Sequence, residues 1–169
     1  PHLPGSRMGP ADHHCHVGQE AICTSKKRDR HDIIIVNEKL DGGNVAIAKV
    51  DNKIHALGRA GYPASTSPFE QFIKFDEWVN RQVSRWDELL NEGEAIHAEW
   101  LLQAHGTVYN LPHEPFVVFD LTRNGKRVPY TEMVQRCEQF DIINPYCISI
   151  GDSISVDDAL LKLGQLGKH

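Results

Sequence analysis

The stretch Ile33–Val45, IIIVNEKLDGGNV, constrains the fold more than any other part of the chain. Four consecutive β-branched residues, Ile33 to Val36, favour extended backbone and predict a buried strand over Ile33–Val36. That strand runs into Asn37-Glu38-Lys39, and Gly42-Gly43 follow almost at once. The glycines permit a tight turn and a close backbone approach without a Cβ clash. The chain must therefore turn at this point, carrying a lysine between the carboxylates of Glu38 and Asp41.

A lysine that acts as a nucleophile must be neutral, and at an unperturbed pKa only about one in 2,500 is neutral at pH 7. Glu38 and Asp41 alone would work against that, since anions stabilise the ammonium form. Nearby cations would reverse the sign: a divalent metal, an arginine, or a substrate's own metal complex. Partial burial of Lys39 at the strand end is expected to act in the same direction. Asn44 would offer an amide to a phosphate or a metal-bound water. On its own, the pattern also suits a charged hairpin turn with a solvated lysine.

Further along, Asn44–Val50 and Lys53–Leu57 predict a hairpin around Asp51-Asn52. Residues 58–68 read as loop. Ser67 and Pro68 predict a helix start, with serine as N-cap and proline at the first helical position. Apolar residues from Phe69 to Leu90 recur at helical spacing, so one long amphipathic helix is expected, stopping at Gly93. Ala95–Leu102 alternates: Ile96, Ala98, Trp100 and Leu102 share one face, and His97, Glu99 and Leu101 the other. Phe116–Leu121 reads as a second buried strand, followed by a turn at Arg123–Lys126. Thr131–Phe140 reads as a helix and Tyr146–Ile150 as a strand. Ser155 and Asp158 suggest a capping box, with aspartate in the glutamate position, opening a short last helix. The sum is an α+β chain of mainly antiparallel sheets with flanking helices.

The chain has 169 residues, enough for a single domain over 1–169 with a real core. A net charge of -5 lends no global support to nucleic-acid binding, although a local basic patch would suffice. No run approaches the roughly 18 apolar residues of a membrane span, and the N-terminal residues lack a secretory apolar core. Cys15, Cys23, Cys137 and Cys147 form no Cys-x-x-Cys pair, so reduced thiols in a cytoplasmic protein are expected. His13, His14, Cys15 and His16 are metal-ligand types, but adjacent residues cannot all converge on one tetrahedral ion, so a polar surface loop is expected.

Taken in order, EKLDGGNV, ALGRAGY, AEWL and FVVFDL resemble the motifs of the covalent nucleotidyltransferase superfamily, and more narrowly its ATP-dependent RNA ligase branch. The resemblance also touches the leading PHLPGSR and extends to about Leu121. It implies an ATP-grasp-like ligase adenylation domain. It further implies that Lys39 attacks the α-phosphorus of ATP and releases pyrophosphate, leaving lysyl-AMP. The AMP would pass to the 5′-phosphate of an RNA end, and a 3′-hydroxyl would then seal the ends in RNA repair. Mg2+ or Mn2+ would accompany the ATP. By the same resemblance Glu38 helps recognise the adenine edge and Asn44 lies near the phosphates. Arg59 contacts ribose and phosphate, Glu99 takes a ribose hydroxyl, and Phe119 stacks on adenine with Asp120 following it. The arginine fork suits oxyanions better than lysine would.

Beyond Leu121 the sequence departs from the family. Neither a Glu-Gly-hydrophobic motif with a metal-binding glutamate nor a Lys-x-Lys strand occurs in ISIGDSISVDDALLKLGQLGKH. Asp157 and Asp158 open a helix, and Lys162 and Lys168 lie on or after it, so none substitutes for the missing groups. The metal ligands are therefore unassigned. The adenylation domain is expected to be incomplete at its C-terminus, as a piece of a longer ligase or as a natural short form. Two other readings stand beside the RNA ligase: a DNA ligase or capping-type nucleotidyltransferase, and a non-catalytic module that binds nucleotide or RNA ends. No protein partner is readable.

Overall fold

The structure, a computed structural model, describes residues 2, 3, 8 and 13–164. Most of PHLPGSR, and Lys168, lie outside the described residues. The chain divides into two compact units.

The first unit comprises Pro1–Glu38 and Tyr146–Lys168. Here β1 (Ile34–Asn37) pairs antiparallel with β7 (Cys147–Gly151), and Ile35 lies opposite Ile150. The expected buried strand is thus one half of a two-stranded ribbon. Ile34 is buried, but Ile33 and Ile35 are exposed, because a two-stranded ribbon does not cover both faces of its strands. A single turn, α1 (Ala21–Thr24), precedes the ribbon, and α5 (Val156–Leu163) follows it. The hydroxyl of Ser155 accepts the Asp158 N–H at 3.1 Å, so the expected cap is present. The Asp158 carboxylate accepts the Ser155 hydroxyl at 2.6 Å, a bond within reach of a side chain one methylene shorter than glutamate. Among the described residues His13 to His16 join no group of three potential metal ligands, and the four cysteines are free.

The second unit, Lys39–Pro145, carries a five-stranded antiparallel sheet. Its strands are β2 (Gly43–Val50), β3 (Lys53–Gly58), β4 (Glu94–Trp100), β5 (Phe116–Arg123) and β6 (Lys126–Arg127). Their order across the sheet is β3-β2-β4-β5-β6. Asp51 and Asn52 both have positive φ, 53° and 56°, which is the hairpin turn their residue types favour. The Glu92 carboxylate holds their two N–H groups at 2.7 and 2.9 Å.

One sheet face is closed by α2 (Glu70–Asn80), α3 (Val83–Leu89) and α4 (Tyr130–Gln139). Val45, Ile47, Ile96, Ala98, Trp100, Val118 and Leu121 meet Phe75, Val79, Trp86 and Met133 in one core. Aromatic rings dominate it: Trp78 lies 5.2 Å from Trp86, 5.2 Å from Trp100 and 5.1 Å from Phe116, centroid to centroid. Such pairs contribute about 0.5–1.5 kcal/mol each beyond their burial.

The expected single helix is two helices. It begins at Glu70 with Phe69 as N-cap, and the Ser67 hydroxyl instead accepts the Phe69 N–H at 3.2 Å. A serine bonding two residues ahead forms a turn before the helix rather than its cap. The break falls at Arg81–Gln82, where Gln82 leaves helical geometry with φ -129°. Asn80-Arg81-Gln82 offers no apolar side chain to bury, so packing does not hold that turn continuous.

Strand β4 alternates as expected through Trp100 and then ends. Leu101 is buried and Leu102 exposed, the reverse of the expected faces, because the period-two rule lapses where the strand stops. Glu94 occupies the first core-facing position of β4 and is 1% exposed. Arg123 Nε donates to its Oε1 at 2.8 Å, Arg136 Nη1 to its Oε2, and the Asn91 N–H to Oε2 at 2.9 Å. The architecture is α+β, with mainly antiparallel strands and flanking helices. Among the described residues no helix is long and apolar enough to cross a membrane.

Candidate functional site

Lys39 begins the second unit, and each of the three residues after it is anchored differently. Leu40 is buried and packs with Leu101 and Val117 in a small second cluster. The Asp41 N–H donates to the Tyr109 hydroxyl at 2.8 Å, and Asp41 Oδ2 accepts the Gly106 N–H at 2.8 Å. The Gly42 N–H donates to Glu99 Oε1 at 3.0 Å. A Cβ at Gly42 would lie 2.5 Å from the Trp100 carbonyl oxygen, so only glycine allows the turn this close to β4.

The lysine itself is exposed, and Nζ donates to the Leu40 carbonyl at 3.1 Å. The partial burial expected for it is absent, since the extended chain buries Leu40 and turns the preceding side chain to the surface. One oxygen of the Asp41 carboxylate, Oδ2, is engaged by the Gly106 amide.

Antiparallel pairing brings Asn44, Glu99 and Arg59 to the same end of the sheet. Asn44 lies directly opposite Glu99, and opposed residues share a face. Gly58 lies opposite Val45, so Arg59 leaves β3 beside the row that holds Asn44. Arg59 is exposed and has no hydrogen bond or ion pair among the described residues. Glu38 belongs to the first unit, where its N–H donates to the Tyr146 carbonyl at 2.9 Å, and its side chain is buried.

Phe119 stands at an irregularity. Ala98 pairs with Val118 and His97 with Asp120, so Phe119 is an extra residue in β5 without a register partner. A bulge of this kind re-aims a side chain and restores the alternation beyond it. Phe119 is half-buried and does not belong to the main core.

Sequence reasoning placed His97 on the polar face but gave it no role. His97 Nε2 lies 3.1 Å from Thr122 Oγ1, whose hydroxyl donates to the Ala95 carbonyl at 3.3 Å. Burial holds the imidazole below its ordinary range; the neighbouring Asp120 carboxylate opposes this, and Arg127 reinforces it. Asp120 is tied to Arg127, Nε to Oδ2, at 2.6 Å. Tyr109 and Gly106 were also missed, because a tyrosine in a polar loop carries no periodic signal.

Three helices thus pack on one face of an antiparallel sheet, and the glycine turn after Lys39 leads into its strand β2. The chain belongs to the RNA ligase family, whose model matches residues 32–164. An uncharacterized protein of Methanocaldococcus jannaschii is 24% identical over 160 residues, covering 82% of this chain and 36% of that protein. Among solved structures, an archaeal ATP-dependent RNA ligase in form 2 aligns with a TM-score of 0.50 at 20% identity, covering 78% of this chain and 34% of that one. Form 1 aligns at 0.48 and 20% identity, covering 72% and 32%. The form 2 likeness establishes the shared ligase fold. The chain spans about a third of the length of these relatives.

Proposed function

We propose that this chain is the nucleotidyltransferase part of an ATP-dependent RNA ligase and that Lys39 is its nucleophile. The two compact units, both reached by the family match, form one adenylation domain in this reading. The observation that carries it is local. Lys39 has a solvent-facing amine, yet the backbone after it is fixed on Leu101, Gly106, Tyr109 and Glu99. A mobile surface lysine needs no such anchoring, whereas an amine that must meet one phosphorus atom does.

The Lys39 Nζ lone pair forms a bond to the α-phosphorus of ATP as the bond to the β-phosphate bridging oxygen breaks. Pyrophosphate leaves, and the amine loses a proton to give the phosphoramidate lysyl-AMP. The 5′-phosphate of an RNA end then displaces the lysine. A 3′-hydroxyl finally attacks that activated phosphate, and AMP departs. Asn44 and Glu99, opposed on one face, are read as contacts for phosphate and ribose; Arg59 for ribose and phosphate; Phe119 as the adenine platform; Glu38 as the adenine-edge reader. Mg2+ or Mn2+ is read as accompanying the ATP phosphates, and its protein ligands are unassigned.

The test is incubation with α-labelled ATP and Mg2+ or Mn2+, followed by denaturing electrophoresis. A covalent label on the wild-type chain that is lost in Lys39→Ala is the expected result. ATP affinity without a label would mean a nucleotide-binding module. No affinity for ATP or for 5′-phosphorylated RNA would refute the reading. Labelled GTP in place of ATP tests the choice of base.

A further inference from the structure

We infer that Tyr109 and Gly106 are positioning residues for Lys39, acting through Asp41; the inference rests on the proposal that Lys39 is the nucleophile. Asp41 lies two residues after the lysine, and the segment between β4 and β5 grips it twice. Its peptide N–H donates to the Tyr109 hydroxyl at 2.8 Å, and its carboxylate accepts the Gly106 N–H at 2.8 Å. Together the bonds fix both the peptide plane and the side chain of one residue, which leaves the turn little freedom to swing.

The grip is itself anchored. The Tyr109 ring packs on the cluster of Leu40, Leu101 and Val117, together with Leu111 and Ile143. Its hydroxyl is therefore held by packing rather than free to follow the turn. At the other contact, a Cβ on Gly106 would lie 2.8 Å from Asp41 Oδ2, so an added methyl would push that carboxylate oxygen aside. Leu40 lies in the same cluster as Tyr109, so the segment holds both residues that follow Lys39. An Asp41 that served only as a surface turn would need neither contact. In-line attack tolerates little misplacement: an error of about 1 Å in a reacting group costs on the order of a hundredfold in rate.

Tyr109→Phe keeps the ring and removes the hydroxyl. At saturating ATP, lysyl-AMP formation should slow by about tenfold or more, while the half-saturating ATP concentration stays within about twofold. In hydrogen exchange on the unliganded chain, the Lys39–Gly42 amides should exchange faster, with the thermal midpoint held near wild type. Gly106→Ala should show the same split. An unchanged rate would overturn the inference, as would a loss confined to ATP half-saturation, which would place Tyr109 in the nucleotide site. If the wild-type chain takes no label, the ligase reading fails on its own; exchange then decides, and unchanged protection in Tyr109→Phe overturns the anchoring.

Discussion

Glu99 Oε1 accepts the Gly42 N–H at 3.0 Å, so one carboxylate of β4 fastens the turn that follows Lys39. Asn44 lies opposite the same glutamate, so turn and strand are joined through one side chain. Glu99→Ala should leave the Gly42 N–H without its acceptor and cost about 1–3 kcal/mol. Glu99→Gln keeps an acceptor oxygen and should lose less than about 1 kcal/mol. Urea denaturation of both variants checks the order. Equal stability of Glu99→Ala and wild type would mean that the contact does not hold the turn.

The tryptophans Trp86 and Trp100 are both almost wholly buried but differ in one atom's surroundings. Trp100 Nε1 donates to the Gln71 carbonyl at 3.0 Å, whereas the buried Trp86 Nε1 finds no acceptor among the described residues. Trp100→Phe should therefore cost more than Trp86→Phe, by about 1 kcal/mol, since it loses a buried hydrogen bond that Trp86 does not make. Truncating either residue to alanine should cost about 3–5 kcal/mol. The difference between the two phenylalanine variants in thermal unfolding is the decisive quantity.

Much of this was legible in the sequence, and the failures have particular causes. Alternation and turn chemistry foretold β2, β3 and β4, with Asp51-Asn52 as the hairpin turn. The order of four motifs pointed to the family that the match over residues 32–164 establishes. The break at Arg81–Gln82 was invisible because apolar spacing of 3.6 passes straight across it. The bulge at Phe119 was invisible because an inserted residue shows only against the partner strand. Tyr109 reaches Asp41 across 68 residues of chain, a contact that no local pattern encodes.

Glu94 offers a prediction in pH. Burial alone would raise its carboxyl, but the hydrogen bonds from Asn91, Arg136 and Arg123 outweigh that and hold it below the usual glutamate range. Its folded-state value lies below the unfolded one. The stabilisation is therefore complete above the ordinary glutamate range and is lost as pH falls through the lowered value. Wild-type thermal midpoints should fall on acidification below about pH 4.5. Glu94→Gln should start lower, by roughly 3 kcal/mol near neutrality, and decline less steeply in acid. Parallel profiles for the two proteins would show that Glu94 does not carry the acid response.

Phe119 separates stability from binding. It is half-buried at a bulge and outside the main core, so Phe119→Ala should cost less than the about 3–5 kcal/mol of a core phenylalanine. Phe116, 2% exposed in the aromatic cluster, supplies the comparison. If Phe119 is the adenine platform, its alanine variant should weaken ATP binding by about 1–3 kcal/mol while staying folded. Equilibrium ATP titration alongside thermal unfolding measures both. A variant that unfolds like Phe116→Ala but binds ATP normally would return Phe119 to the core.

Gly42→Ala tests the turn most directly. The added Cβ would meet the Trp100 carbonyl oxygen at 2.5 Å and a methyl carbon of Leu101 at 2.8 Å. The leucine end can yield, but the carbonyl belongs to β4 and cannot move without disturbing its pairing with β2 and β5. The strain should instead be relieved in the turn, stretching the Gly42–Glu99 bond and carrying Lys39 with it. Lysyl-AMP formation should then fall by about a hundredfold, for a nucleophile displaced by about 1 Å. Global stability should fall by only about 1–3 kcal/mol, the range of overpacking in a tight site. Label incorporation and urea denaturation measured on one preparation give both values. Full labelling in a stable Gly42→Ala chain would show that Lys39 does not depend on the contact between its turn and β4.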